Sequence, residues 1–316
     1  MTGMINAPYI HTGMNGVYLC AVRLLSVVPL ITAAVIFYGI RAAVLIMFCS
    51  AAFAGSDILF DRLRHSSRDS ILNSLYCGAL LALLLPPDTP LYIAFTGVLF
   101  ACGIVRHLSG GKGSGFLSPV AMGRFIVRVL FPANEGALAM PCEGRAYIKS
   151  LVFGSEAYMT VSTDEYYTAE LAVGRFPSFL GTSFFFLMLA ALIYLIAKRA
   201  VKAYIPVSYF LMLFILMILR HMFSGGPDPV IFMITSGVMF TAAFLLNDDE
   251  TIRPFGVPAA AQAFLCAFMT FALSFVTAGI DLIVVPVLLT GALTGMFDYS
   301  EAVLRAVKED RLRVKP

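Results

Sequence analysis

The chain has 316 residues, of which 59% are hydrophobic and only 13% charged. A soluble domain carries about 25% charged residues, so this composition excludes an ordinary soluble enzyme and points to a polytopic membrane protein. The formal net charge of +3 is too small to argue for nucleic acid, and no such partner is expected.

The first 22 residues lack a basic stretch followed by a short apolar core and a small-residue cleavage site, so the first long apolar run is expected to stay in the membrane. Ten apolar runs follow: Leu24–Ile40, Ala42–Phe60, Ile71–Leu85, Leu91–Val105, Phe116–Phe131, Phe179–Ala197, Ile205–Phe223, Val230–Leu246, Pro258–Ala278 and Ile280–Phe297. Each approaches the ~20 residues that an untilted helix needs to span a bilayer. Several are short and carry Pro or Gly, as do the broken helices of transporters, whose irregular backbone lines a cavity inside the protein. The expectation is an all-α integral membrane protein of about ten helices, some short or broken. Residues 24–132 and 179–297 form two helical halves, 133–178 an outward loop, and 1–23 and 298–316 cytoplasmic ends.

Basic residues set the orientation. Arg62, Arg64 and Arg68 follow the second run, Arg106 and Lys112 the fourth, and Lys198, Arg199 and Lys202 the sixth. Arg305, Lys308, Arg311, Arg313 and Lys315 crowd the tail. With ten spans all of these fall on one face, taken as cytoplasmic together with both termini. The loop 133–178 carries three basic and six acidic side chains, a net −3 that suits the opposite face. Arg41 and Arg220 lie on the wrong side of this scheme. A faint internal echo, Arg106-His107-Leu108-Ser109-Gly110-Gly111 against Arg220-His221-Met222-Phe223-Ser224-Gly225-Gly226, suggests inverted repeats, although its offset of three helices does not suit two five-helix halves.

The stretch Gly110–Pro132 concentrates the chemistry. A Gly-rich turn lets backbone N–H groups approach a ligand, and it runs into an apolar helix carrying Arg124 and Arg128. Arginine at membrane depth costs roughly 2.5–3.5 kcal/mol on insertion scales and usually faces a cavity, ligand or partner. His107 and His221, each after an Arg at a helix end, serve either as proton relays or cofactor lining, or as interfacial pairs. Asn247-Asp248-Asp249-Glu250 reads either as a cation access site or as a solvated turn. Asp57 and Asp281, near predicted helix ends, suit capping or partner-facing roles. Cys20, Cys49, Cys77, Cys102, Cys142 and Cys266 are scattered with no CxxC pair, so no metal centre is expected, although Cys20, Cys49 and Cys102 could face a cluster carried by another subunit. No catalytic nucleophile or nucleotide motif is present.

The order of features resembles the D subunit of Rnf electron-transport complexes and, more distantly, the B subunit of the Na⁺-translocating NADH:quinone reductase. The similarity is carried by Leu85-Pro86-Pro87, by the Gly110–Arg124 stretch with Ser118-Pro119-Val120 where the family has Asn-Pro-Ala, and by Arg175–Ser183. Ile205-Pro206-Val207-Ser208, the turn His221…Ser224-Gly225-Gly226 and Ala243–Asp248 continue it. The resemblance implies a bacterial inner-membrane subunit that works with other Rnf-type subunits, relays electrons through flavin and helps move Na⁺ or H⁺. It implies FMN, with riboflavin as a further flavin, linked through phosphate to a threonine of a Ser/Thr-Gly-Ala-Thr motif in the outward loop. That motif is missing; Ser162, Thr163 and Thr168 are the candidate hydroxyls, and Arg124 and Arg128 the candidates to balance flavin or partner charge. A flavin-free channel, transporter or scaffold is the alternative.

Overall fold

The computed structural model describes residues 16–64, 71–108, 117–132, 137–139, 147–149, 174, 178–224, 226–247, 259–276 and 281–296. Over the described residues each of the ten apolar runs is helical, Val230–Leu246 in two pieces. α1 (Gly16–Tyr38) and α2 (Ile40–Arg64) are separated by Gly39 alone, whose φ of +79° is the left-handed geometry that glycine adopts without a Cβ penalty. α3 (Ile71–Leu83) precedes the buried turn at Leu85-Pro86-Pro87. α4 (Leu91–Phe100) continues without interruption into a π-wound stretch, Ala101–Leu108, and α5 is Pro119–Leu130.

A two-stranded antiparallel ribbon, β1 (Ala137–Ala139) with β2 (Tyr147–Lys149), sets Leu138 opposite Ile148. It is the one departure from an all-α fold among the described residues. The second half holds α6 (Phe185–Ala197), α7 (Tyr204–Ser224), α8 (Pro229–Thr235) and α9 (Val238–Phe240), which winds on as a π segment over Thr241–Leu245. α10 (Ala259–Leu273) and α11 (Asp281–Met296) complete it.

Among the described residues three helices, α1, α2 and α7, are long and apolar enough to cross a membrane by themselves. At 1.5 Å per residue, the 13 residues of α3 reach only about 20 Å, short of the ~30 Å hydrocarbon core. Such short helices must end inside protein, where their terminal carbonyls need partners. Outward faces are apolar: Ile36, Met47, Leu211 and Ile215 are all exposed, a surface that lipid rather than water would cover. The most extensive helix contact is α2 on α3. A Cβ on Gly78 would lie 2.7 Å from the Cys49 carbonyl oxygen, so only the absence of a side chain allows this approach. That packing sets the C-terminal half of α2 against the start of α3, and it positions the first polar centre.

Candidate functional site

The first centre surrounds Asp57, on the inner face of α2 and 3% exposed. Arg106 Nη1 donates to Asp57 Oδ2 at 3.0 Å, and the Ser74 hydroxyl donates to the same oxygen. His107 Nε2 lies 2.8 Å from Asp57 Oδ1, and Cys102 Sγ lies 3.6 Å from that atom. His107 stacks on Phe60 with ring centroids 5.1 Å apart, and its Nδ1 faces Asp61 Oδ1 at 4.0 Å. The Arg106 guanidinium stands 5.5 Å above the Phe53 ring.

Backbone winding explains how Cys102, Arg106 and His107 converge. The i→i+5 bonds of a π segment bring residues five apart toward one face, whereas in an α-helix Cys102 and His107 would stand about 140° apart. α2 supplies the carboxylate, α3 the hydroxyl and the π end of α4 the remaining groups. A buried ion pair of this kind contributes little net stability, but removing one partner strands a charge and costs about 3–5 kcal/mol.

The second centre is a junction of broken helices. Pro86 and Pro87 have no N–H and end α3, leaving its last carbonyls inside the protein. Gly181 N donates to Leu83 O at 2.7 Å, Arg124 Nε to Leu84 O at 2.7 Å, and Leu180 N to Leu85 O at 3.3 Å. Arg124, fully buried, also lies over the Phe179 ring at 5.2 Å. Thus α5 and the segment leading into α6 together cap α3, with a cation at the negative end of its dipole.

The same segment meets the second break. Gly237, between α8 and α9, has φ +70°, and a Cβ there would fall 2.5 Å from Ile283 Cδ1 and 3.2 Å from Thr182 Cγ2. Ser236 and Thr235 hydroxyls donate to Phe232 O and Ile231 O, satisfying carbonyls of α8. Tyr38 OH and Ser183 Oγ are 2.6 Å apart, and Ser178 hydrogen-bonds to Ser183. At the far end of the π segment, Asn247 Nδ2 donates to Ala242 O, while its buried Oδ1 has no hydrogen-bond partner among the described residues.

Of the residues expected from sequence, Arg124 lies at the α3 cap and Arg128 pairs with Asp281 through two contacts of 3.4 Å. That pair joins the last turn of α5 to the first turn of α11, each charge placed favourably for its helix dipole. Arg124 and Arg128 therefore have separate partners, the Leu84 carbonyl and the Asp281 carboxylate. Ser162, Thr163, Thr168, the Gly110–Gly115 turn and Asp248–Glu250 lie outside the described residues. His221 Nδ1 lies 2.8 Å from the Gly226 carbonyl, on the surface.

The two cations that broke the orientation pattern are locally accounted for. Arg41 pairs with Asp88 at 2.9 Å, and Arg220 donates to Ser274 O and Oγ while lying 4.1 Å from the Phe275 ring centroid. Sequence reasoning missed the convergence of Asp57, Ser74, Cys102 and Arg106; the one available signal is an acid inside the second apolar run and an Arg-His pair at the end of the fourth, opposite charges that membrane burial drives together.

A sequence model of the NQR2, RnfD, RnfE family matches residues 4–304. The D subunit of the ion-translocating oxidoreductase complex from Escherichia coli O7:K1 (strain IAI39 / ExPEC) is 24% identical over 288 residues, spanning 78% of this chain and 81% of that protein. The proteins of the same name from Escherichia coli O81 (strain ED1a) and from strain K12 / DH10B are also 24% identical, over 288 and 286 residues.

Proposed function

The chain belongs to the NQR2, RnfD, RnfE family, and from that membership we propose that it is a membrane subunit of an Rnf-type ion-translocating oxidoreductase complex. In this reading it couples flavin-mediated electron transfer among its partner subunits to movement of Na⁺ or H⁺. The observation that carries the reading furthest is the junction at Leu83–Leu85, Phe179–Ser183 and Ser236–Gly237, where two broken helices meet inside one bundle. Half-helix ends and irregular backbone buried at such a junction are how transporters present dipoles and carbonyls to an ion.

The flavin of this reading is FMN, which accepts and passes on electrons singly; riboflavin is a second flavin that such a complex could carry. Arg124, buried and donating to Leu84 O in the α3 cap, is the weaker of the two candidates to balance flavin charge. Arg128 is partly exposed at the end of α5 that leads into the loop 133–178, and it fits a neighbouring anion better. Attachment falls to Thr168, Ser162 or Thr163. Cation access falls to Asn247, whose Oδ1 without a hydrogen-bond partner among the described residues supports the assignment, and to Asp248 beside it. The membrane is the bacterial inner membrane with both termini cytoplasmic, supported by the basic clusters at 62–68, 106–112, 198–202 and 305–315.

The test is in-gel flavin fluorescence of the denatured chain after coexpression with a flavinyl transferase, beside Thr168→Ala, Thr163→Ala and Ser162→Ala. Fluorescence that survives denaturation and disappears in one variant is the expected result and names the attachment residue. A dark wild-type band removes the covalent flavin and shifts the reading to a flavin-free channel, transporter or scaffold.

A further inference from the structure

We propose that Asp57 Oδ1, Cys102 Sγ and His107 Nε2 form a three-ligand site for a divalent transition metal, of the class of Zn²⁺ or Fe²⁺. All three atoms lie within 4.8 Å of one another, and all three residues are buried. Bond lengths of about 2.0–2.3 Å in tetrahedral geometry put oxygen and sulfur about 3.6 Å apart and oxygen and nitrogen about 3.4 Å apart. The observed Cys102–Asp57 separation is 3.6 Å, and the His107–Asp57 separation of 2.8 Å needs only a small swing of the imidazole. A carboxylate, a thiolate and an imidazole suit a borderline-soft ion rather than Ca²⁺ or Mg²⁺.

The surroundings are those of a metal centre. Arg106 and Ser74 hold the other carboxylate oxygen, Asp57 Oδ2, and so aim Oδ1 into the trio. Asp61 Oδ1 stands 4.0 Å from His107 Nδ1, on the side from which an outer carboxylate fixes a ligating imidazole once it closes to hydrogen-bond distance. The charges also close. A divalent ion with one thiolate and Asp57 sums to zero, and Arg106 with Asp61 sums to zero, which matters in a low-dielectric interior. Binding forms metal–sulfur, metal–oxygen and metal–nitrogen bonds. The Cys102 thiol proton leaves to solvent, and the imidazole proton resides on Nδ1, facing Asp61. No CxxC or other metal-ligand spacing announces such a site, because its ligands come from α2 and from a π-wound helix. The site stands whether or not the electron-transfer reading does.

The full chain, purified in detergent and stripped with chelator, is titrated with Co²⁺ alone. Expected are one bound Co²⁺ per chain and a thiolate-to-cobalt charge-transfer band that Cys102→Ser abolishes. Cys77→Ser, which alters another buried thiol, leaves the band in place, and Asp61→Asn weakens Co²⁺ affinity about 10–100-fold. A wild-type spectrum of hydrated Co²⁺, or a band that survives Cys102→Ser, overturns the proposal. If Cys102→Ser does not elute as the wild type does, Cys102→Ala takes its place under the same two outcomes.

Discussion

Arg124 illustrates how one side chain can carry two readings. Its place in an apolar helix after a Gly-rich turn suggests an anion, yet its Nε holds the Leu84 carbonyl and its guanidinium covers Phe179. Arg124→Met leaves that buried carbonyl short of a partner and should cost about 1–3 kcal/mol, read as a lower melting midpoint in detergent. Arg124→Lys should recover part of the loss, since an ammonium can still donate. A fall in flavin content with unchanged melting would contradict the capping role. Arg128 and Asp281 are a different case, with side chains 31% and 19% exposed. Their coupling in a double-mutant cycle should stay within about 1 kcal/mol, and exchanging the two charges should restore little of what either single change loses, because each charge then opposes its helix dipole. A coupling of several kcal/mol would mean that the pair is far better shielded than its exposure implies.

Among the elements, the breaks matter more than the helices they interrupt. Gly39→Ala meets no atom within 4 Å and should cost only the left-handed backbone term of about 1–2 kcal/mol. Gly237→Ala bears the same backbone term and also drives its Cβ to 2.5 Å from Ile283, adding about 1–3 kcal/mol of overpacking. The Gly237 variant should therefore show much the lower yield of monodisperse protein, and Ile283→Ala in the same chain should recover part of it. Equal yields for the two glycine variants would sink this account. The ten runs were legible as helical segments, because length and hydropathy decide where helices sit in lipid, and Pro86-Pro87 marks the first break; their ends were less so, since α1 starts at Gly16 rather than Leu24 and α6 at Phe185 rather than Phe179. The polar contacts were not. Cys102 and His107 share a face only in π winding, and Gly181 reaches Leu83 through a fold that no local pattern encodes. The β ribbon, two strands of three residues, is too short to leave a pattern.

For the molecule as a whole, charge placement makes a topological prediction. A green fluorescent protein fused after Pro316 should fluoresce, and alkaline phosphatase fused within the loop 133–178 should be active. The reverse pair of results would invert the orientation. The pairing of Arg41 with Asp88 and the docking of Arg220 on Ser274 leave those two residues as weak votes against it. One consequence of the shared α3 cap concerns time. A chain made from its amino end produces the Leu83 and Leu85 carbonyls long before it produces Leu180 and Gly181, whose N–H groups satisfy them. During synthesis α3 therefore has a helix end with no permanent partner. The first half becomes a finished object only when the opening residues of the second half leave the ribosome, so separately expressed halves should assemble poorly unless residues 179–183 travel with the first.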